Sequence, residues 1–179
     1  MNLKINDSIY QMLFGSLSGI IEHTISFVPR NILDFIQVYK DKNISSVLKN
    51  IYLKKNYFRI TNGYLPMISC VSLSHMNLFY FYEKSKLEKE QYMIFLYGSL
   101  GKLGHDIITC PGDTIRCHCN LLNINSCQAT TNILKNGKHN LFNGFPSLLF
   151  MSIIGGGLEF GIINNLERKY SDNKISIYN

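Results

Sequence analysis

The chain has few charged residues, and this scarcity excludes the commonest explanation of its basic character. Charged side chains make up 17% of the 179 residues, although the net charge is +6 and 46% of the residues are hydrophobic. Nucleic-acid-binding proteins of similar charge carry dense Lys and Arg on one face, whereas the lysines here gather in polar intervals such as 40–55 and 84–89. We therefore expect no nucleic-acid partner, and the apolar stretches between these intervals require a lipid bilayer or a protein core.

Three further features are missing. No segment has the pattern of a secretory signal peptide, since residues 1–8 are polar and the apolar run after them has no small-residue cleavage site. The five cysteines are an odd number, which favours free thiols over a disulfide framework. The sequence contains no phosphate-binding loop, no pair of catalytic carboxylates and no nucleophile beside a convincing base. We therefore expect neither an enzyme nor a bound cofactor.

Long helical segments dominate what is present. They cover residues 9–38, 64–84, 91–119 and 143–166. Each could cross a bilayer core, which needs about 20 residues, but none is uniformly apolar. Ionisable residues within them, such as Glu22, Lys102 and Asp106, would be costly against lipid and should face a bundle interior or a water-filled cavity. This pattern is typical of transporter helices and not of simple membrane anchors.

Short amphipathic helices are predicted between the long ones. Residues 44–53 place apolar side chains at three- and four-residue spacing, and residues 129–134 do so more weakly before the turn at Asn136-Gly137. The order of long, short and long helix therefore occurs twice.

An internal repeat accounts for this order. A shift of 82 positions superimposes Tyr10 on Tyr92, Gly19 on Gly101, His23 on His105, Ile25 on Ile107 and Pro29 on Pro111. A shift of 81 superimposes Asn62-Gly63 on Asn143-Gly144, each at the start of a second long helix. We infer a tandem duplication with repeats at 1–89 and 90–179.

The second repeat resembles a known family. Pro111-Gly112-Asp113-Thr114-Ile115-Arg116 reproduces the Pro-x-acid-x-x-base signature of the mitochondrial carriers, and Gly137 with Phe142-Asn143-Gly144 resembles their matrix-helix motif. The resemblance implies an all-α membrane protein of two carrier repeats, each with two transmembrane helices and a short matrix-surface helix between them. It also implies a multi-pass protein of the inner membrane of a mitochondrion or related organelle.

The first repeat departs from the signature. After Pro29, Asn31 stands where the acid belongs and Asp34 where the base belongs, while Gln37 lies close to the family's usual glutamine. In the family, acid and base side chains of this motif pair to close the matrix side of the pore. Either Asp34 pairs with Arg116 in reversed polarity, or this position has lost its constraint.

The histidines resemble those of the mitoferrins, the carriers that move iron across the inner membrane. They are His23 in Gly19-Ile20-Ile21-Glu22-His23, His75 in Ser74-His75 and His105 in His105-Asp106. Met151 coincides with a mitoferrin methionine, whereas Ser152 stands where those proteins have asparagine. The resemblance implies a substrate pathway along His23, His75, His105 and Met151, with the three histidines as transient iron ligands.

Structural roles compete with this interpretation. A single histidine in a membrane helix is more often a packing residue that hydrogen-bonds across helices, and the glycines Gly15, Gly19 and Gly101 are expected to let helices approach closely. It is the set of three histidines that favours iron.

Several functions follow from the resemblance. The first is iron transport into the organelle by alternating access. Because family carriers have three repeats and two are recognised here, the alternatives are a truncated or degenerate carrier that serves as a membrane interaction protein, and a reduced carrier whose pore is completed by self-association. Another small metabolite, such as S-adenosylmethionine, competes with iron as the substrate.

Overall fold

The computed structural model describes residues 2–39, 45, 49 and 61–177, and every regular element among them is helical. The elements are α1 (Asn2–Tyr39), α2 (Tyr64–Lys86), α3 (Gln91–Leu122), α4 (Ser126–Lys135), a 3-10 helix (Lys138–Phe142) and α5 (Phe145–Ile177). The all-α class and the four long helices are confirmed, and α1 and α5 extend well beyond their predicted ends. The short helix predicted over 44–53 lies almost wholly outside the described residues.

The second long helix of each predicted repeat begins immediately after a glycine with positive φ. Gly63 precedes α2 with φ of 81°, and Gly144 precedes α5 with φ of 92°. Residues with a Cβ rarely adopt this conformation, so a glycine is required for the sharp entry into the helix. The Asn-Gly pairs found by the repeat alignment thus share a local backbone geometry.

Each of the two aligned prolines lies inside a continuous helix. Pro29 is within α1 and Pro111 is within α3. A proline has no N–H to donate, so the carbonyl groups of Ile25 and Ile107, four residues earlier, lose their intrahelical bonds. Both helices therefore lack an intrahelical hydrogen bond at positions that the repeat alignment makes equivalent.

The chain divides into two compact units that each draw on both halves of the sequence. The first unit consists of Met1–Ser16, Ser74–Ile107 and Gly144–Asn179, and the second unit consists of Leu17–Leu73 and Ile108–Asn143. These units do not coincide with the sequence repeats 1–89 and 90–179, which stay a prediction.

In the first unit, α3 and α5 pack through glycines. A Cβ on Gly98 would lie 2.3 Å from the carbonyl oxygen of Gly156, so the two backbones touch directly. Ser99 lies beside this contact and its Oγ donates a hydrogen bond to the Ile153 carbonyl at 2.6 Å. Close approach of this kind increases dispersion contacts and exposes carbonyl groups to bonds across helices.

Glycines also bring α1 and α3 against α2 within the same unit. A Cβ on Gly15 would lie 2.3 Å from the Phe79 ring, and one on Gly101 would lie 3.0 Å from the Cβ of Phe81. Asn77 Nδ2 donates to the Gly101 carbonyl at 3.2 Å. The predicted packing role of Gly15 and Gly101 is thus visible as contact geometry, and Gly19, in the second unit, is buried.

The second unit has a small apolar core between α1 and α2. Phe27, Met67 and Val71 are almost fully buried, and the Tyr64 ring meets Phe27 edge to face at 5.1 Å. A Cβ on Gly112 of α3 would lie 2.9 Å from the carbonyl oxygen of a residue in α2. Apolar burial therefore holds α1 to α2, and a glycine contact holds α3 to α2.

The short helix α4 confirms the element predicted over 129–134. It begins with a capping box in which Asn125 Oδ1 accepts from the Gln128 N–H and the Gln128 side chain accepts from the Asn125 N–H. Its apolar face buries Ala129 and Ile133. The cap satisfies N–H groups that a helix start leaves without intrahelical partners.

By length and composition, one helical stretch among the described residues could cross a membrane. It is Lys138–Tyr170, with a mean hydropathy of 1.6 over its best 18-residue window, of which 22% is buried. The other long helices fall below that test, and ionisable residues such as Glu22, Lys102 and Arg116 lower the hydropathy of α1 and α3. The predicted layout of four membrane-spanning helices therefore stays a prediction.

Candidate functional site

Two of the three predicted histidines meet in the first unit. His75 of α2 and His105 of α3 are 7% and 8% exposed, their ring centroids are 5.0 Å apart, and the rings are inclined at 75°. One ring nitrogen of each lies within 4.8 Å of the other. Two imidazoles at this separation could bind the same metal ion after a small adjustment of their side chains.

The Asp106 carboxylate orients the imidazole of His105. Nδ1 of His105 lies 2.8 Å from Oδ1 of Asp106. An ionised carboxylate only accepts hydrogen bonds, so Nδ1 carries the proton and the lone pair of the neutral ring is on Nε2. Histidine ligands of metal ions are commonly held in this way by a carboxylate behind the ring, which also makes the ligand nitrogen more basic.

Asp106 has two further partners in the first unit. Ser152 Oγ of α5 lies 2.5 Å from Oδ2 of Asp106, and Lys102 Nζ lies 3.8 Å from Oδ1. The carboxylate is therefore held from its own helix and from α5. In the sequence, Lys102 and Asp106 stand out only as ionisable residues in a helix, although their four-residue spacing indicates a pair on one helix face.

Met151, predicted to lie on the substrate pathway, is not part of this arrangement. Its side chain is 68% exposed, whereas its neighbour Ser152 is buried and carries the contact of α5 with Asp106. Adjacent residues on a helix point about 100° apart, so the two cannot share one face. Ser152 is the residue of α5 that bonds to Asp106, although in the sequence it stands out only as a departure from the mitoferrin pattern.

His23, the third predicted histidine, lies in the second unit and is buried. Its Nδ1 is 3.5 Å from Nη1 of Arg30. A guanidinium group only donates, so this long contact places the proton of the neutral ring on Nε2. The basic partner of His23 differs in kind from the acidic partner of His105, although the repeat alignment makes the two histidines equivalent.

A polar cluster around Arg116 joins α1 to α3 in the second unit. Nη1 of Arg116 lies 2.6 Å from Asp34 Oδ2 and 2.5 Å from Asn31 Oδ1, and Nε lies 3.1 Å from Asp113 Oδ1. The Arg116 side chain is only 7% exposed. The pair of reversed polarity considered from the sequence is therefore formed, and Asn31, in place of an acid, contributes a neutral acceptor.

Cys117 and Asn120 complete the Arg116 cluster. Cys117 Sγ lies 3.5 Å from Nη2 of Arg116, and Asn120 Nδ2 donates to the Asn31 carbonyl at 3.5 Å. Asn31 and Asn120 are fully buried. Asn31 was singled out at the acid position of the signature, whereas nothing in the local sequence distinguishes Asn120 from a surface asparagine, so only the tertiary structure reveals Asn120.

The other residues singled out by the resemblance to the carrier signature are less buried than Arg116. Pro29 and Gln37 of α1 are exposed, and Pro111 of α3 is half-buried. Among the contacts of the described residues, none places Gln37 in the Arg116 cluster.

Comparisons with protein-family models, with curated protein sequences and with solved structures each found no match to this chain.

Proposed function

We propose that the chain is a carrier of the mitochondrial type that moves ferrous iron across the inner membrane of a mitochondrion or related organelle. The observation that carries the proposal is the buried pair of His75 and His105, with the Asp106 carboxylate bonded behind His105. Helix-borne imidazoles that point away from bulk solvent, and that are oriented by a carboxylate, have the chemistry of a cation site.

Ferrous iron suits these ligands. Imidazole nitrogen coordinates Fe²⁺ readily, and a transport site must bind its ion weakly enough to release it. Two histidines with a nearby carboxylate form an incomplete set of ligands, so water would supply further ones. A structural metal site would instead enclose the ion with a full set of protein ligands.

The helical layout supports a carrier of repeated two-helix units. The first and third long helices contain Pro29 and Pro111, and the second and fourth begin after Gly63 and Gly144. Large apolar side chains are exposed along α5, as at Phe150, and these would face lipid. Under this proposal the four long helices span the membrane and α4 lies on the matrix surface.

The Arg116 cluster would then serve as a gate. An arginine held by Asp34, Asp113 and Asn31 ties α1 to α3, and these helices would have to separate for an ion to pass. Alternating access requires contacts that form and break at one end of the pathway. An ion pair that stands partly exposed, as Asp34 does, suits such a reversible contact.

Iron uptake by reconstituted liposomes tests the proposal. The protein is purified in detergent, inserted into liposomes that contain a fluorescent iron chelator, and supplied with Fe²⁺ under anaerobic conditions. We expect uptake by the wild type and a loss of at least about tenfold when His23, His75 and His105 are all replaced by Ala, because each imidazole ligand contributes several-fold to binding. His118→Ala is the matched control, since that imidazole bonds the Thr114 carbonyl and belongs to neither cluster.

Three outcomes separate the possible functions. Equal uptake by the wild type and the triple variant would contradict the histidine pathway. Uptake of S-adenosylmethionine without uptake of iron would reassign the substrate. Uptake of neither, by a protein that is folded and inserted, would favour a membrane interaction protein.

A further inference from the structure

Lys102 brings a positive charge to the proposed cation site. Its Nζ lies 3.8 Å from Oδ1 of Asp106, the same oxygen that accepts the hydrogen bond of His105 Nδ1. The Lys102 side chain is 35% exposed and that of Asp106 is 14% exposed, so the lysine is the less enclosed of the two. A positively charged side chain beside a site for a divalent cation is unexpected, because the two positive charges repel each other.

The packing of α3 against α5 accommodates this lysine. A Cβ on Gly156 would lie 2.4 Å from the Cβ of Lys102, so the stem of Lys102 passes over a position where only glycine fits. The stem is therefore confined at its base, while its charged end keeps the freedom of a flexible four-carbon chain. Such a side chain can approach the carboxylate or withdraw from it without moving either helix.

The ammonium group and a divalent ion would compete for the same negative charge. Lys102 lowers the electron donation of Asp106 to His105, and it also repels a cation held near Nε2 of that ring. Both effects weaken metal binding. A contact of 3.8 Å is longer than a tight ion pair and can be given up when the metal ion arrives.

We propose that Lys102 is a tethered competitor that occupies Asp106 while the site is empty and lowers its affinity for divalent cations. This inference rests on the proposed function of the histidine site, and it explains how such a site would release its ion. When the ion leaves, the ammonium group returns to Asp106, so the carboxylate does not remain uncompensated inside the membrane. Lys102 is therefore a positioning residue that sets affinity, and it is not itself a ligand.

A binding titration with Co²⁺ tests this role. Co²⁺ is bound by histidine, and its visible absorption reports the ligands. The detergent-purified full chain is titrated as the wild type, Lys102→Gln and Lys102→Arg. We expect Lys102→Gln to bind Co²⁺ about tenfold more tightly, as for a typical coupling between two sites. Lys102→Arg keeps the charge and should bind within about twofold of the wild type, which controls for loss of the lysine stem.

A second variant and a second measurement make the test decisive. Lys102→Met, which is neutral and close to lysine in length, should reproduce the tighter binding if Lys102→Gln does not fold. In liposomes, the neutral variants should take up Fe²⁺ more slowly than the wild type at saturating Fe²⁺, because release becomes slower.

The possible failures are distinguishable. If the wild type binds no Co²⁺, or binds it equally well after His75→Ala and His105→Ala, the proposed function fails. If the wild type binds through those histidines but the neutral variants bind with unchanged or weaker affinity, the histidine site stands and the role of Lys102 is refuted. Tighter binding by Lys102→Arg as well would show that packing, and not charge, sets the affinity.

Discussion

The Arg116 cluster offers the sharpest test of what holds α1 to α3, because Arg116 has two carboxylate partners of different exposure. Asp34 comes from the other helix at 2.6 Å and is 24% exposed, whereas Asp113 comes from the same helix at 3.1 Å and is 40% exposed. We expect Asp34→Asn to destabilise the fold clearly and Asp113→Asn to do so only slightly. The two substitutions are chemically identical and act on the same guanidinium group.

The expected magnitudes follow from burial and geometry. Asp34→Asn removes the negative charge from the acceptor of a short hydrogen bond to a buried arginine, a charged contact that contributes about 2–3 kcal/mol. The loss stays below the 3–5 kcal/mol or so of a fully orphaned buried charge, because Asp113 and Asn31 remain beside Arg116. Asp113→Asn removes a half-exposed pair within one helix, for which about 0.5 kcal/mol is typical.

Thermal unfolding of the detergent-purified protein measures the difference. For a chain of this size, about 1 kcal/mol corresponds to roughly 2–4 °C in Tm, so we expect a fall of about 5–10 °C for Asp34→Asn and of about 1–2 °C for Asp113→Asn. Exchange of the charges by Asp34→Arg with Arg116→Asp should recover part of the stability lost by either single change. Equal shifts for the two asparagine variants, or a larger shift for Asp113→Asn, would refute the argument that the contact between helices dominates.

Glycine substitutions give two further predictions with matched controls. Gly98→Ala should lower Tm by several degrees, because the new methyl group would meet the Gly156 backbone at 2.3 Å and overpacking of this kind costs about 1–3 kcal/mol. Gly155→Ala, whose new methyl group would meet nothing within 4 Å, should be neutral or slightly stabilising. A similar fall in Tm for both variants would show that lack of space is not the cause. At Gly63, φ is positive and an added Cβ would lie 2.6 Å from a backbone atom of α3, whereas at Gly144 φ is positive but the surrounding space is open. Gly63→Ala should therefore lower Tm clearly more than Gly144→Ala in the same assay. Equal falls in Tm would contradict the role given to the close contact.

Much of the helical layout could be predicted because it depends on local spacing. Apolar periodicity located the long helices, and the Asn-Gly pairs located the starts of α2 and α5. Helix ends were less accurate, since α1 and α5 continue into polar sequence where no Gly or Pro stops them. The 3-10 helix over Lys138–Phe142 was not predicted, because so short an element leaves no periodic pattern.

The candidate sites were predicted only in part. His23, His75 and His105 were singled out by their resemblance to the mitoferrin histidines, and the structure brings His75 and His105 together. On α5, Met151 was singled out for the pathway, which stays a prediction, whereas the contact with Asp106 comes from the next residue, Ser152. On a helix that single step turns a side chain by about 100°, which separates an exposed methionine from a serine bonded to Asp106.

The sequence by itself determined the helices and the prolines and glycines that interrupt them, because each depends on residues a few places apart. The tertiary structure decided which side chains are partners. Arg116 and Asp34 lie 82 residues apart and meet at 2.6 Å, and Ser152 reaches Asp106 from a different helix. Such pairs depend on how each helix is rotated and shifted against its neighbours, and contacts spread along the whole helix set that rotation.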